Sequence, residues 1–173
     1  DELAEGLDPL RDQYDAIVLD TSPSLGYLTQ AAMAGADIVL TPCPTEGLDF
    51  ASLCQFWGVF VEMVYSFRTH SEKMGGSFNK TYDFVEVFLT KTKPESDTLA
   101  AVIKSWINKA FPGRVYERGV PESSIPKAAS AEMRTVYDLC GKETASGAYK
   151  RYKEPVDAWV DHIASELAQA WRR

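Results

Sequence analysis

The sequence has no apolar run of membrane-spanning length. Its longest uninterrupted stretch, Phe56 to Val61, ends at Glu62, far short of the ~20 residues a transmembrane helix needs. No basic, apolar, small-residue segment opens the chain, so no secretory leader is expected. Cysteine is scarce: Cys43, Cys54 and Cys140 form no CxxC pair, and an odd count argues against a secreted disulfide framework. These absences predict a cytoplasmic protein whose thiols are small buried hydrophobes. The only histidines, His70 and His162, have no carboxylate or cysteine spacing around them that suits zinc. Internal repeats and low-complexity runs are missing too, which predicts a single domain for the 173 residues. Positive charge is in the minority, with 18 Lys and Arg against 25 Asp and Glu and a net charge of -7. That balance disfavours a general nucleic-acid or anionic-membrane binder but leaves room for a local basic patch. The chain starts at Asp1 rather than at a methionine, as a fragment of a longer protein would.

What is present is a series of short apolar runs separated by helical segments. Ala16 to Leu19, Asp37 to Thr41 and Phe84 to Leu89 are apolar at nearly every position, the pattern of strands buried on both faces of a parallel sheet. Helices are predicted over Asp1 to Gln13, Leu25 to Ala34, Leu48 to Phe67 and Glu95 to Ala110. A last helix runs from Ser146 towards Trp171, kinked or restarted at Pro155. In the Leu48 helix, Phe56, Phe60 and Val64 fall on one line and Leu53, Trp57, Val61 and Tyr65 on the next, giving a wide apolar face. Ser71 to Lys80 reads as a loop around Gly75-Gly76, and Arg114 to Tyr116 as an edge strand. Strand alternating with helix predicts an α/β domain with right-handed crossovers.

The chemistry concentrates at Tyr14 to Gly26. Four apolar residues ending in Asp20 put a carboxylate at the C-terminal edge of a strand, where open α/β sheets bind ligands. There it either holds Mg²⁺ beside nucleotide phosphates or merely caps the helix starting near Ser24 or Leu25. Thr21, Ser22, Pro23 and Gly26 make a small-residue loop suited to sit near a γ-phosphate.

The stretch YDAIVLDTSPSLGYLTQAAMAGADIVLTPCPTEGLDFASL resembles the Walker B and following region of the ParA/MinD group of deviant-Walker P-loop ATPases. Within that group it is most similar to the RepA-type partition ATPases of repABC plasmids. FLTKTKPES, VPESSIPKAASAEMRTVYDL and TASGAYKRYKEPVDAWVDHI continue the likeness to the C-terminus. Ser22 departs from it, standing where the family usually has the first of two prolines. The resemblance implies a three-layer P-loop NTPase-like fold, a parallel sheet with helices on both faces, truncated here on its N-terminal side. The KGGxGKT-type loop that family members carry upstream of this aspartate has no counterpart in the 173 residues. The expectation is therefore the C-terminal portion of an ATPase, inactive by itself because nothing else cradles the phosphates.

By resemblance, Asp20 is the catalytic carboxylate and the Mg²⁺ site, with Thr21 and Pro23 beside the ATP phosphates. Thr90 and Lys91 take part in adenine recognition, and Val120, Pro121 and Glu122 form the other side of the base pocket. As single residues they would equally make solvated turns. Thr41 to Pro44, continuing to Asp49, approaches the nucleotide or a partner subunit, or is simply a rigid connection. Lys127, Lys150, Arg151 and Lys153 form a basic cluster that is either a solvated face or the site of sequence-independent DNA binding by an ATP-bound homodimer. The implied whole is a nucleoid-associated plasmid-partition ATPase, reset by a ParB-like (RepB) partner and needing no membrane. A MinD-like membrane-cycling ATPase is the rival, weakened because Asp157, Asp161 and Glu166 would repel anionic lipid. A non-enzymatic adaptor that kept the fold is the other.

Overall fold

The computed structural model describes residues 2–22, 26–76, 80–94, 96–116 and 118–172. Its elements are α1 (Glu2–Arg11), α2 (Tyr27–Gly35), β1 (Ile38–Pro44), α3 (Gly47–Lys73), β2 (Phe84–Thr90), α4 (Thr98–Ala110), β3 (Val115–Tyr116), α5 (Ile125–Ala131) and α6 (Gly147–Ala170). The strands form one parallel sheet in the order β1–β2–β3, with Val87 opposite Val115 and Phe88 opposite Tyr116. Helices α3 and α4 are the crossovers that parallel pairing demands.

Two compact units divide the chain. The first comprises residues 1–39 and 54–85. Its core is Met33, Val39, Phe60 and Met63, with Phe56, Trp57, Val64, Tyr82 and Val85 packed around them. The ring of Phe60 meets Trp57 edge-on at 5.0 Å and Tyr82 at 5.4 Å, arrangements the aromatic quadrupole favours. Tyr82 closes the cluster by donating its hydroxyl to the Met33 carbonyl at 2.9 Å. The second unit comprises residues 40–53 and 86–173, and its most deeply buried side chains are Cys43, Val87, Leu89, Ile103 and Ile107. Ile103 and Ile107 lie one turn apart on α4, whose first turn Asp97 caps by accepting from the Ala100 N–H at 3.0 Å.

Several sequence expectations need correction. Residues 16–20 form neither helix nor strand, and Val18 is 91% exposed. A strand exists only through neighbours that satisfy its backbone, and among the described residues none hydrogen-bonds to this segment. Conversely, β1 runs on through Pro42 and Pro44, which the sequence placed beyond its end. As an edge strand in this sheet it can carry prolines on the side that needs no donor. Helix α6 passes Pro155 without interruption; the carbonyl four residues back belongs to exposed Arg151, where water can take the place of the lost N–H.

Helix α3 extends to Lys73, into the segment read as a loop. Of its second apolar line, Val61 and Tyr65 are exposed, so the buried face is narrower than the sequence implied. By length and composition α3 could cross a membrane, a test that a count of unbroken apolar residues does not make. Its Leu53, Phe60 and Met63 are buried, while most of the helix is not. Of the three thiols only Cys43 is buried; Cys54, on the outer side of α3, and Cys140, in the turn after α5, are exposed.

Candidate functional site

At the C-terminal end of β2 the ladder outlasts β3. The Val120 N–H donates to the Leu89 carbonyl at 2.9 Å, the Thr92 N–H to the Val120 carbonyl at 3.0 Å and the Glu122 N–H to the Thr92 carbonyl at 3.1 Å. Thr92 and Pro121 thereby form a parallel bridge. Thr90 and Lys91 are thus held beside Val120, Pro121 and Glu122. Val120 is buried, Thr90 and Pro121 are half-buried, and Lys91 and Glu122 are exposed. Lys91 has φ 48, a left-handed conformation uncommon for a residue with a side chain. It breaks the strand where a ligand at the sheet edge would lie. Gly119 stands too close to Leu89 and Thr92 for any side chain, so this glycine is what lets the two segments meet. The sequence reading did not single it out; a glycine directly before Val120-Pro121 was the available signal.

Asp20 and Thr21 are exposed, and Pro23 lies outside the described residues. Asp20 does not cap a helix: the N-cap of α2 is Gly26, without a side-chain cap. The segment is anchored beyond Thr21, where buried Thr29 donates its hydroxyl to the Ser22 carbonyl at 3.5 Å. Among the described residues no three His, Cys, Asp or Glu side chains converge to hold a metal.

A second feature lies at the same sheet edge and includes Thr45 to Leu48, within the segment that the resemblance brings to the nucleotide or a partner subunit. Thr45, Glu46, Gly47, Leu48, Lys93 and Asp97 line an open pocket of about 250 Å³. Lys93 approaches Glu46 at 3.8 Å. With Glu46 and Asp97 against Lys93, the lining carries a net negative charge.

The basic cluster splits. Lys127 on α5 and Lys150 and Arg151 on α6 are exposed. Lys153 is ion-paired with Asp157, one turn on, and lies 4.6 Å from the Tyr137 ring centroid. The Asp157 hydrogen bond raises the Lys153 pKa, and the same bond lowers that of Asp157. Nearby, Arg134 is engaged by Glu132 at 3.0 Å and Glu143 at 3.1 Å and donates to the Asp138 carbonyl at 2.6 Å. Of the four in the cluster, Lys127, Lys150 and Arg151 have no ion pair among the described residues.

Comparison with known proteins bears on this arrangement. A family model described as an AAA domain matches residues 1–72. The putative replication protein A of Rhizobium rhizogenes is 23% identical over 171 residues, covering 99% of this chain and 41% of its own length. Protein SopA of Escherichia coli K12 is 24% identical over 138 residues, 79% of this chain and 33% of its own. The chromosome partitioning protein ParA of Myxococcus xanthus is 45% identical over 53 residues, 31% of this chain and 19% of its own. A solved structure titled partition protein superposes with a TM-score of 0.63 at 19% identity, over 92% of this chain and 38% of that one. The chain is similar to putative replication proteins over nearly its whole length and to a chromosome partitioning protein over 53 residues. The solved structure gives it its fold, a P-loop NTPase-like α/β sheet. The chain spans about two fifths of the length of the replication proteins it matches, 41% and 40%.

Proposed function

We propose that this chain is the C-terminal part of a plasmid-partition ATPase that segregates DNA with a ParB-like partner. The observation that carries the reading is the ladder joining Leu89 and Thr92 to Val120 and Glu122. It builds a two-sided wall at the C-terminal edge of a parallel sheet, the edge at which open α/β sheets take their ligands. The chemistry of that wall suits a nucleotide base. Thr90 offers a hydroxyl, Lys91 an aliphatic stem that can lie on a base plane, and Val120-Pro121 an apolar flank. A putative replication protein and SopA match 99% and 79% of the chain, and a chromosome partitioning protein 31%, which supports the biological role. ATP would bring its own phosphate charge to this wall. The residues of this wall would position its base.

In this reading Asp20 would serve as the catalytic carboxylate that holds Mg²⁺ and Thr21 as a phosphate contact, and Lys127, Lys150 and Arg151 would supply the DNA surface of an ATP-bound homodimer at the nucleoid. The test is DNA binding by a protein that joins this chain to a KGGxGKT-type phosphate loop. ATP is expected to raise its affinity for random-sequence duplex, and Asp20→Ala to abolish hydrolysis with the fold unchanged. Parental hydrolysis in that variant, or DNA binding indifferent to ATP, would reject the reading.

A further inference from the structure

Glu86 is a carboxylate in the middle of an otherwise apolar strand, FVEVFLT, and only 9% of it is exposed. Both of its partners lie on α6. His162 Nε2 stands 2.6 Å from Oε2, and the Trp159 indole N–H donates to Oε1 at 3.3 Å. A nitrogen so near a carboxylate oxygen must share a proton with it. Two ring stacks flank the carboxylate: Phe88 on Trp159 at 4.1 Å, tilted by 16°, and Tyr116 on His162 at 4.8 Å, tilted by 23°. Strand alternation puts Glu86 and Phe88 on one face of β2, and Val87 and Leu89 on the other.

The rest of α6 is loosely held. Among the described residues, Tyr149 is the only one in this 24-residue helix that is fully buried, while Tyr152, Val156, Trp159 and Ile163 remain half-exposed. Apolar burial per residue is therefore modest, and the polar joint carries an unusual share of the docking. An apolar residue at position 86 would hold the helix by area alone and leave a sticky face when it lifted. A carboxylate behaves otherwise. Docked, it is satisfied by two α6 donors; undocked, it is satisfied by water. Only a half-open joint strands it, because a buried carboxylate without partners is strongly unfavourable. Such a joint has two good states and a poor middle.

We propose that Glu86, Trp159 and His162 form a releasable clasp, and that α6 opens from the sheet as one unit while β2 stays folded. The proposal stands whether or not the chain binds nucleotide or DNA. Native-state amide exchange on the whole chain tests it. Amides of 156–166 should exchange through an opening of lower cost than those of Val87 and Leu89. Glu86→Gln, which keeps an acceptor for Trp159 but loses the charge, should speed α6 exchange about tenfold and leave Val87 and Leu89 unchanged. If that variant does not fold, Trp159→Phe keeps the stack on Phe88, removes one donor, and should act in the same direction. Exchange of α6 and β2 at one common rate in the parent chain would overturn the proposal. So would α6 exchange unaltered in a folded variant.

Discussion

A Cβ placed on Gly119 would stand 2.8 Å from the Leu89 Cβ and 2.9 Å from the Leu89 carbonyl oxygen. Real Cβ atoms do not approach backbone so closely, so any side chain here must push Val120 off β2. Gly119→Ala is expected to cost about 1–3 kcal/mol, the usual penalty of overpacking. It should also break the Val120 N–H to Leu89 bond before it disturbs α4. A thermal melt gives the first and amide exchange at Val120 the second. A variant as stable as the parent would mean that the two segments separate without cost.

The three thiols should differ in reactivity. Cys54 and Cys140 are exposed and Cys43 is 1% exposed, so a thiol reagent should modify two groups quickly under native conditions. The third should react only on unfolding, because access limits a buried thiol whatever the reagent. Three fast thiols would show that β1 opens readily.

These differences also mark how far the sequence could be read. β2 was legible because an isolated apolar run of strand length has few other uses. Ala16 to Leu19 carries the same signal and is no strand here, since periodicity reports what a segment could bury and not whether a neighbour is there to receive it. The prolines of β1 misled in the other direction, because an edge position cannot be recognised from the strand's own residues. The wall at Thr90 to Thr92 and Val120 to Glu122 came into view through resemblance, as no local pattern joins segments about thirty residues apart in sequence. Glu86 was the most visible missed signal. A lone charge inside an apolar run needs a partner, but nothing local indicates that Trp159 and His162 supply it.

Acidification should loosen the segment from Glu132 to Asp157 first. Asp138 is held below the usual carboxylate range by hydrogen bonds from the Thr135 backbone and hydroxyl, Glu143 by Arg134, and Asp157 by Lys153. A carboxyl lowered in the folded state stabilises it fully above the unfolded pKa, about 4. That stabilisation is lost as pH falls through the lower folded values. Between pH 6 and pH 5 nothing should change. Below about pH 4, amide exchange in this segment should rise before that of β2, and Asp157→Asn should flatten part of the dependence. A pH-independent segment would mean that these exposed pairs contribute nothing to its order.

Separating Lys153 from its basic neighbours gives the sharpest test of the DNA surface. Its ammonium is held 2.6 Å and 2.7 Å from the two Asp157 oxygens, so using it for phosphate would mean breaking that pair. Lys127, Lys150 and Arg151 have no such ion pair among the described residues and are exposed. Protein with a net charge of -7 can approach DNA only where its positive charge is concentrated. Reversing Lys150 and Arg151 should therefore weaken binding similarly on all duplex sequences and reduce the salt slope by about one unit for each phosphate no longer neutralised. Lys153→Gln should leave the slope unchanged while loosening Asp157 and Tyr137. The measurement is a salt titration on random-sequence duplex with ATP present, using the chain joined to a phosphate loop, with parent and variants side by side. Equal slopes for the parent and the Lys150/Arg151 reversal would make this end of α6 a solvated face. A reduced slope in Lys153→Gln would mean that DNA takes Lys153 from Asp157, and the acid-sensitive segment would then be part of the DNA surface.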